Sequence, residues 1–325
     1  MQSDTLIKTF NNIDQIDEYP DTSFEDNSTT NHPSTLSLHH EHILADPQTY
    51  IGSIREKSRN LWIMDQEKKI FINKEIKYIE GLNKIFVEII TNACEHSERD
   101  MTCRNIYINV SKYEISVYND GNNGVPVKII ENKNKFLPEI LFGDLAHEYL
   151  QSNGNGTQKC GKHVILANIF STEFHVSIAD MENRLLFSQI FYNNMRTLCK
   201  PIIEEMLSDV KSFIKITFKP DFKFFGINCL SDDMINLFFK KTYYVSAITR
   251  PAVDVYLNNV LVPVKSLSDY KKLFCNDDNI GTIKNHMELI KRDINTLENK
   301  FNNVMHSIEE IKRCIIKIKS DIGEL

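Results

Sequence analysis

In YIEGLNKIFVEIITNACEHS, Tyr78 to Ser97, the residues Leu82, Ile85, Phe86, Ile89, Ile90 and Ala93 recur at the i, i+3, i+4 spacing of an amphipathic helix. Glu88 and Asn92 stand four apart, so both project from one side of that helix, next to its apolar face. A carboxylate beside a carboxamide suits phosphate chemistry. The Glu88 oxygen accepts a proton from an attacking water, and the Asn92 oxygen is a hard ligand for magnesium. Taken alone the pair also fits the solvated side of an ordinary surface helix.

Outward from this helix, NIYINV and YEISVYN alternate as strands, and STEFHVSIA, RLLFSQIFY, FIKITFK and AVDVYLN read the same way. DMINLFFKKTYYVSAI reads as a second helix, in which Tyr243 and Tyr244 are packing residues. Helices mixed with hairpin-connected strands predict an α+β sandwich with helices on one face of a sheet. The second strand runs into NDGNNGVPV. There Asp120 is placed to accept a hydrogen bond from an amino group, and Gly121 and Gly124 let a flat base approach the backbone.

Further on, Gly156 to His163 spells G-x-x-x-x-G-K-H, one residue from a P-loop. The context does not fit one. FGDLAHEYLQSN before it reads as a helix and polar loop rather than a buried strand, and His163 occupies the position of the magnesium-binding hydroxyl.

The order of these pieces resembles the GHKL ATPase superfamily, and within it the N-terminal ATPase domain of eukaryotic and viral type IIA DNA topoisomerases. EHILADPQTYIGS at 41–53 and YIEGLNKIFVEIITNA at 78–93 match that family's segments. ISVYNDGNNGVPV at 115–127, FLPEILFG at 136–143, NIFSTEFHV at 168–176, FSQIFYNNM at 187–195 and ITFKPDFKFF at 216–225 continue the match in order. The resemblance implies a GHKL (Bergerat) sandwich, α+β, with a mixed, mostly antiparallel sheet and helices on one face. It also implies ATP and Mg2+ as ligands, Glu88 as general base and Asn92 as magnesium ligand. The adenine-side residue falls on Asp120, or on Asn119 if the alignment slips by one, because D-G-N-N-G carries an extra residue. Gly121 and Gly124 would border the base. Gly156, Lys159, Gly161 and Lys162 would face the phosphates.

The phosphate loop departs from the family. Leu166, Asn168, Ile169, Phe170 and Ser171 keep its downstream anchor, but Thr157, Gln158, Cys160 and His163 replace residues of a glycine-dense run. Fewer glycines weaken a backbone cradle for phosphate, which Lys159 and Lys162 offset by charge. The family's Ser-Ser-Asn run is matched only if Ser152 and Asn153 serve after a shift. No transducer lysine and no cleavage core follow the ATPase-like region, so the expected protein does not cut DNA by itself.

From Ile283 onward apolar residues fall at 287, 290, 294, 297, 301, 304, 308, 311, 315, 318 and 322, alternating steps of four and three. This heptad pattern predicts a coiled coil about 60 Å long at 1.5 Å per residue. Its isoleucine-rich seam leans toward three or four strands, so self-association through 283–322 is expected. Residues 1–34 are polar and acidic and read as a disordered arm. The organisation expected is therefore an arm at 1–34, a GHKL ATPase-like domain at 35–275 and a coiled coil at 280–325.

The 325-residue chain is 42% hydrophobic and carries a formal net charge of −6, which argues against a surface devoted to nucleic acid and leaves a local basic patch open. Seven scattered cysteines with no C-x-x-C suggest reduced, mostly buried thiols. Without a signal-peptide pattern or an 18-residue apolar run, an intracellular location is expected, the nucleus and a viral or cytoplasmic replication site both fitting. Two functions fit: an ATP-gated oligomeric clamp in DNA topology control, working with a separate cleavage subunit, or a GHKL-fold assembly or regulatory protein without turnover.

Overall fold

The computed structural model describes residues 35–145, 164–206 and 211–274; side chains are described from residue 40. The arm at 1–34, the coiled coil at 280–325 and the loop glycines and lysines at 156–162 lie outside those residues.

Strands β3 (Asn105–Val110), β4 (Ile115–Asp120), β7 (Ser171–Asp180), β8 (Leu185–Tyr192), β11 (Phe213–Pro220) and β12 (Asp254–Leu257) form where the alternation predicts them. Together with β10 (Ile202–Glu205) and β13 (Val260–Leu261) they build one sheet, ordered β10-β8-β7-β11-β4-β3-β12-β13, with β9 (Thr197–Leu198) paired to β8. Every pairing in it is antiparallel except β12 with β3.

Register assigns the faces. Ile106 opposes Asn119, which opposes Ile214, and Ile108 opposes Val117, which opposes Ile216. The isoleucine and valine side chains among these share the main core with Phe86, Ile89 and Ile90 of the long helix α3 (Glu80–Arg99), so this is the face that the helices cover. On the other face Tyr256 stacks on Tyr107 at 4.4 Å, Tyr107 meets Tyr118, and Tyr118 meets Phe213.

The helix layer continues with α4 (Leu137–Gly143), α5 (Val164–Ile169) and α6 (Asp232–Ile248); α1 (Thr35–Ala45), α2 (Pro47–Ile51) and α7 (Leu267–Lys272) complete the described helices. Ser231 caps α6 by accepting the Met234 N–H, with Asp232 and Asp233 in the first turn where the helix dipole favours carboxylates. Phe86 of α3 stacks on Phe238 of α6 with ring centroids 4.1 Å apart. A hairpin that the alternation did not mark, β1 (Glu56–Asp65) with β2 (Ile70–Ile79), lies against α6, and a third short pair joins β5 (Ile129–Ile130) to β6 (Lys135–Phe136). Tyr243 packs on Phe71 as expected of a core residue, whereas Tyr244 is 43% exposed. Cys94 and Cys103 are buried, and burial pushes their thiols up to about 11 and about 12. No described helix is long and apolar enough to cross a membrane.

Phe86 and Phe238 are each fully buried, so truncation leaves a cavity at the joint between the two long helices. Phe238→Ala is expected to lower stability by about 3–5 kcal/mol, read from chemical denaturation of the full chain.

Candidate functional site

Helix α3 supplies the first part of the site. Gly81, Leu82, Ile85, Phe86, Ile89, Ile90 and Ala93 are buried, while Lys84, Glu88 and Asn92 lie half-buried along the adjoining flank. The Lys84 ammonium forms an i, i+4 ion pair with the Glu88 carboxylate, whose side chain is 15% exposed. This pair, not anticipated from the sequence, fixes the direction in which the carboxylate points. The adjacency of Glu88 and Asn92 is as the spacing predicts.

The end of β4 supplies the second part. Asp120 does not face α3. Its carboxylate accepts the backbone N–H groups of Arg104 and Asn105, at 2.6 and 2.8 Å, and the Asn105 amide at 2.7 Å. It thus ties the start of β3 to the end of β4, on the sheet face shared with Tyr118. Strand alternation turns its neighbour the other way. Asn119 lies among Ile106, Ile214 and Val117 on the helix-covered face, is 5% exposed, and its amide nitrogen has no hydrogen-bond partner among the described residues. A buried donor without a partner costs free energy, and a ligand acceptor is one of the few things that explains it.

A loop joins these parts, and the residue that holds it was not legible as a site residue. Asp100, just past the end of α3, is fully buried. Its carboxylate accepts the Thr102 N–H at 2.8 Å and hydroxyl at 2.7 Å, and the Asn123 N–H at 2.8 Å. Burial opposes ionisation of Asp100, but these hydrogen bonds and the charge of His96 outweigh it and hold the carboxyl below its ordinary value. His96, one turn back, has its ring nitrogen 3.6 Å from the Asp100 carboxylate, and burial pushes its pKa down. Farther along, Asp180 accepts the Val127 N–H at 2.7 Å, fixing the exit of the loop.

The two loop glycines differ. Gly121 has φ +138°, and a Cβ there would stand 2.3 Å from an Asp100 carboxylate oxygen and 2.8 Å from the His96 ring, so the fold itself requires glycine. At Gly124 a Cβ would meet only Ile214 at 3.7 Å, an ordinary contact; packing does not demand glycine there.

Beyond the undescribed stretch, the expected anchor is in place. Asn168 of α5 is fully buried and donates to the Phe142 carbonyl of α4 at 2.8 Å, fastening the two helices that flank residues 146–163. Helix α5 packs on α3, the helix that carries Glu88. Among the described residues no group of His, Cys, Asp or Glu side chains is arranged to hold a metal ion by itself.

The chain aligns with DNA topoisomerase 2 of Plasmodium falciparum at 37% identity over 248 residues, which is 73% of this chain and 17% of that protein. The ATPase region of Saccharomyces cerevisiae topoisomerase II superposes with a TM-score of 0.66 at 33% identity, covering 72% of this chain and 62% of that one. The described domain is a GHKL ATPase domain of the DNA topoisomerase 2 family. The ATPase and transducer domains of Balamuthia mandrillaris topoisomerase II give a TM-score of 0.67 at 31% identity, over 78% of this chain and 65% of that structure. No family model matches the chain. The chain thus spans less than a fifth of the Plasmodium protein.

Two predictions test the loop of this GHKL domain. Gly121→Ala should destabilise the protein by about 1–3 kcal/mol through the clash with Asp100, while Gly124→Ala leaves the denaturation midpoint unchanged. The second concerns pH. A carboxyl with a lowered folded pKa stabilises the fold above the ordinary carboxylate value and loses that contribution as pH falls through the lowered one; a histidine held neutral by burial opposes protonation below its ordinary value. Stability should therefore decline as pH falls from about 6.5, through His96, and again below about 4, through Asp100. Denaturant titrations across pH should show His96→Gln removing the first decline and Asp100→Asn the second.

Proposed function

We propose that this domain binds ATP between α3 and the end of β4 and hydrolyses it. The observation that carries the reading is the unpartnered Asn119 amide, buried on the face that α3 covers, in a domain whose α3 also presents Glu88 and Asn92. A carboxamide offers a donor to an adenine ring nitrogen and an acceptor to its amino group, so Asn119 suits a base better than a carboxylate does. Gly124, where packing leaves glycine optional, keeps backbone open beside it. Glu88, oriented by Lys84, accepts the proton of the attacking water. The Asn92 carboxamide oxygen suits Mg2+, which when bound neutralises phosphate charge. Gly156, Lys159, Gly161 and Lys162 contribute to the phosphate side. Asp120 acts by fixing the strand ends rather than by touching the base.

Two such domains, joined through self-association of 283–322, would form an ATP-gated clamp in DNA topology control beside a separate cleavage subunit. The glycine-poor head of the 156–163 loop favours a second reading, a GHKL domain that binds nucleotide without turnover.

Calorimetric titration of Mg-ATP into the full chain, with phosphate release measured in parallel, separates these. Wild type should bind and release phosphate, and Glu88→Gln should bind comparably while release falls about 100-fold or more. Binding without release in wild type would establish the second reading, and absence of binding at millimolar ATP would remove both. Asn119→Ala is expected to weaken ATP binding about tenfold, the loss of one hydrogen bond of roughly 1.4 kcal/mol. Asp120→Asn should lower the denaturation midpoint and leave affinity unchanged.

A further inference from the structure

Three exposed apolar side chains lie on α6 and α7, two helices that pack on each other. Tyr244 is 43% exposed, Ile248 41% and Leu267 49%. Lys240, Tyr244 and Ile248 are spaced four apart on α6, which puts them in one line about 12 Å long. Helix α7 borders that line. The Tyr244 ring meets Tyr270 edge-on with centroids 5.5 Å apart, and Leu267 lies one turn before Tyr270. The Ser246 hydroxyl donates to the Val264 carbonyl at 2.6 Å, fastening α6 to the segment that leads into α7.

The last described residues mark one end of the same line. The Lys240 ammonium lies 5.8 Å from the Phe71 ring centre and 5.5 Å from that of Phe274, and the Leu273 carbonyl accepts the Phe71 N–H at 2.7 Å. Packed between aromatic faces, this lysine is pushed down to about 8. The last described residues therefore lie at the Lys240 end of this exposed apolar stripe. Residues 275–325 follow, and their apolar heptad run begins at Ile283. Residues 275–282 reach at most about 28 Å when extended, more than twice the length of the stripe. A tethered apolar segment at that range has an effective concentration in the millimolar region, which favours it over a free partner.

We infer that Ile283, Met287 and Ile290, the first three apolar positions of the heptad run, pack onto Tyr244, Ile248 and Leu267 of the same chain, so that the head domain holds the start of the coiled coil. Apolar positions three and four apart on one helical face match a stripe formed by one helix and the flank of a second. The rest of the run, from Ile294 to Ile322, remains for self-association. The inference is independent of nucleotide binding.

Photo-crosslinking of the full chain tests it, with Tyr244→benzoylphenylalanine in one sample and Leu267→benzoylphenylalanine in another. Each sample is a mixture of unlabelled and nitrogen-15-labelled chains exchanged through denaturant and refolded. Mass spectrometry should place the crosslinks within residues 283–294, with both peptides of each pair carrying the same isotope. Full-length I283S/M287S/I290S should lose them and keep the head domain's thermal midpoint. Crosslinks between chains, crosslinks to any other segment, or none from either position would overturn the inference, as would their survival in the triple variant.

Discussion

One helix has to meet two incompatible demands, and the domain is arranged around that conflict. Helix α3 buries Phe86, Ile89 and Ile90 completely, yet its flank keeps Lys84, Glu88 and Asn92 beside that apolar contact. The sheet below and the Phe86–Phe238 stack with α6 fix the rotation of the helix about its axis. With the rotation fixed, the polar flank cannot turn toward bulk water, and the Lys84–Glu88 pair orients the one carboxylate on it. Burial energy on one side of the helix thereby sets chemistry on the other.

The Asp100 hub extends that control to the loop. Because its carboxylate bonds Thr102 and Asn123 across the tight Gly121 turn, the end of α3 and the exit of β4 are held as one unit. Asp120, by fastening the start of β3 to the end of β4, holds the strand whose Asn119 carries the buried amide. The two acidic residues thus build the frame, and the buried Asn119 amide nitrogen between their contacts has no hydrogen-bond partner among the described residues.

Much of this was legible in the sequence where period reports burial. Strands β3, β4, β7, β8, β11 and β12 alternate because each has one face on the helices, and α3 and α6 show the helical period for the same reason. The β1–β2 hairpin was not legible, since the outer half of β1 is exposed on both sides and carries no alternation. The choice between Asn119 and Asp120 was open because a one-residue slip in a strand reverses every face, and the register with Ile106 and Ile214 shows only that Asn119 is the one on the helix-covered face. The Asp100 hub joins residues 96, 100, 102, 121 and 123 through a turn and a loop, an arrangement with no period to read. The family relationship came from ordered runs of residues, and the superposition on topoisomerase II ATPase regions agrees with it.

The α3 flank and the end of β4 are proposed to form one nucleotide site. Hydrogen exchange of the full chain with and without Mg-ATP tests it most directly. Peptides covering residues 84–94 and 117–127 should gain protection together while those covering β8 and β10, at the far edge of the sheet, stay unchanged. Unchanged exchange in the first two regions under saturating Mg-ATP, or protection confined to another part of the domain, would contradict it.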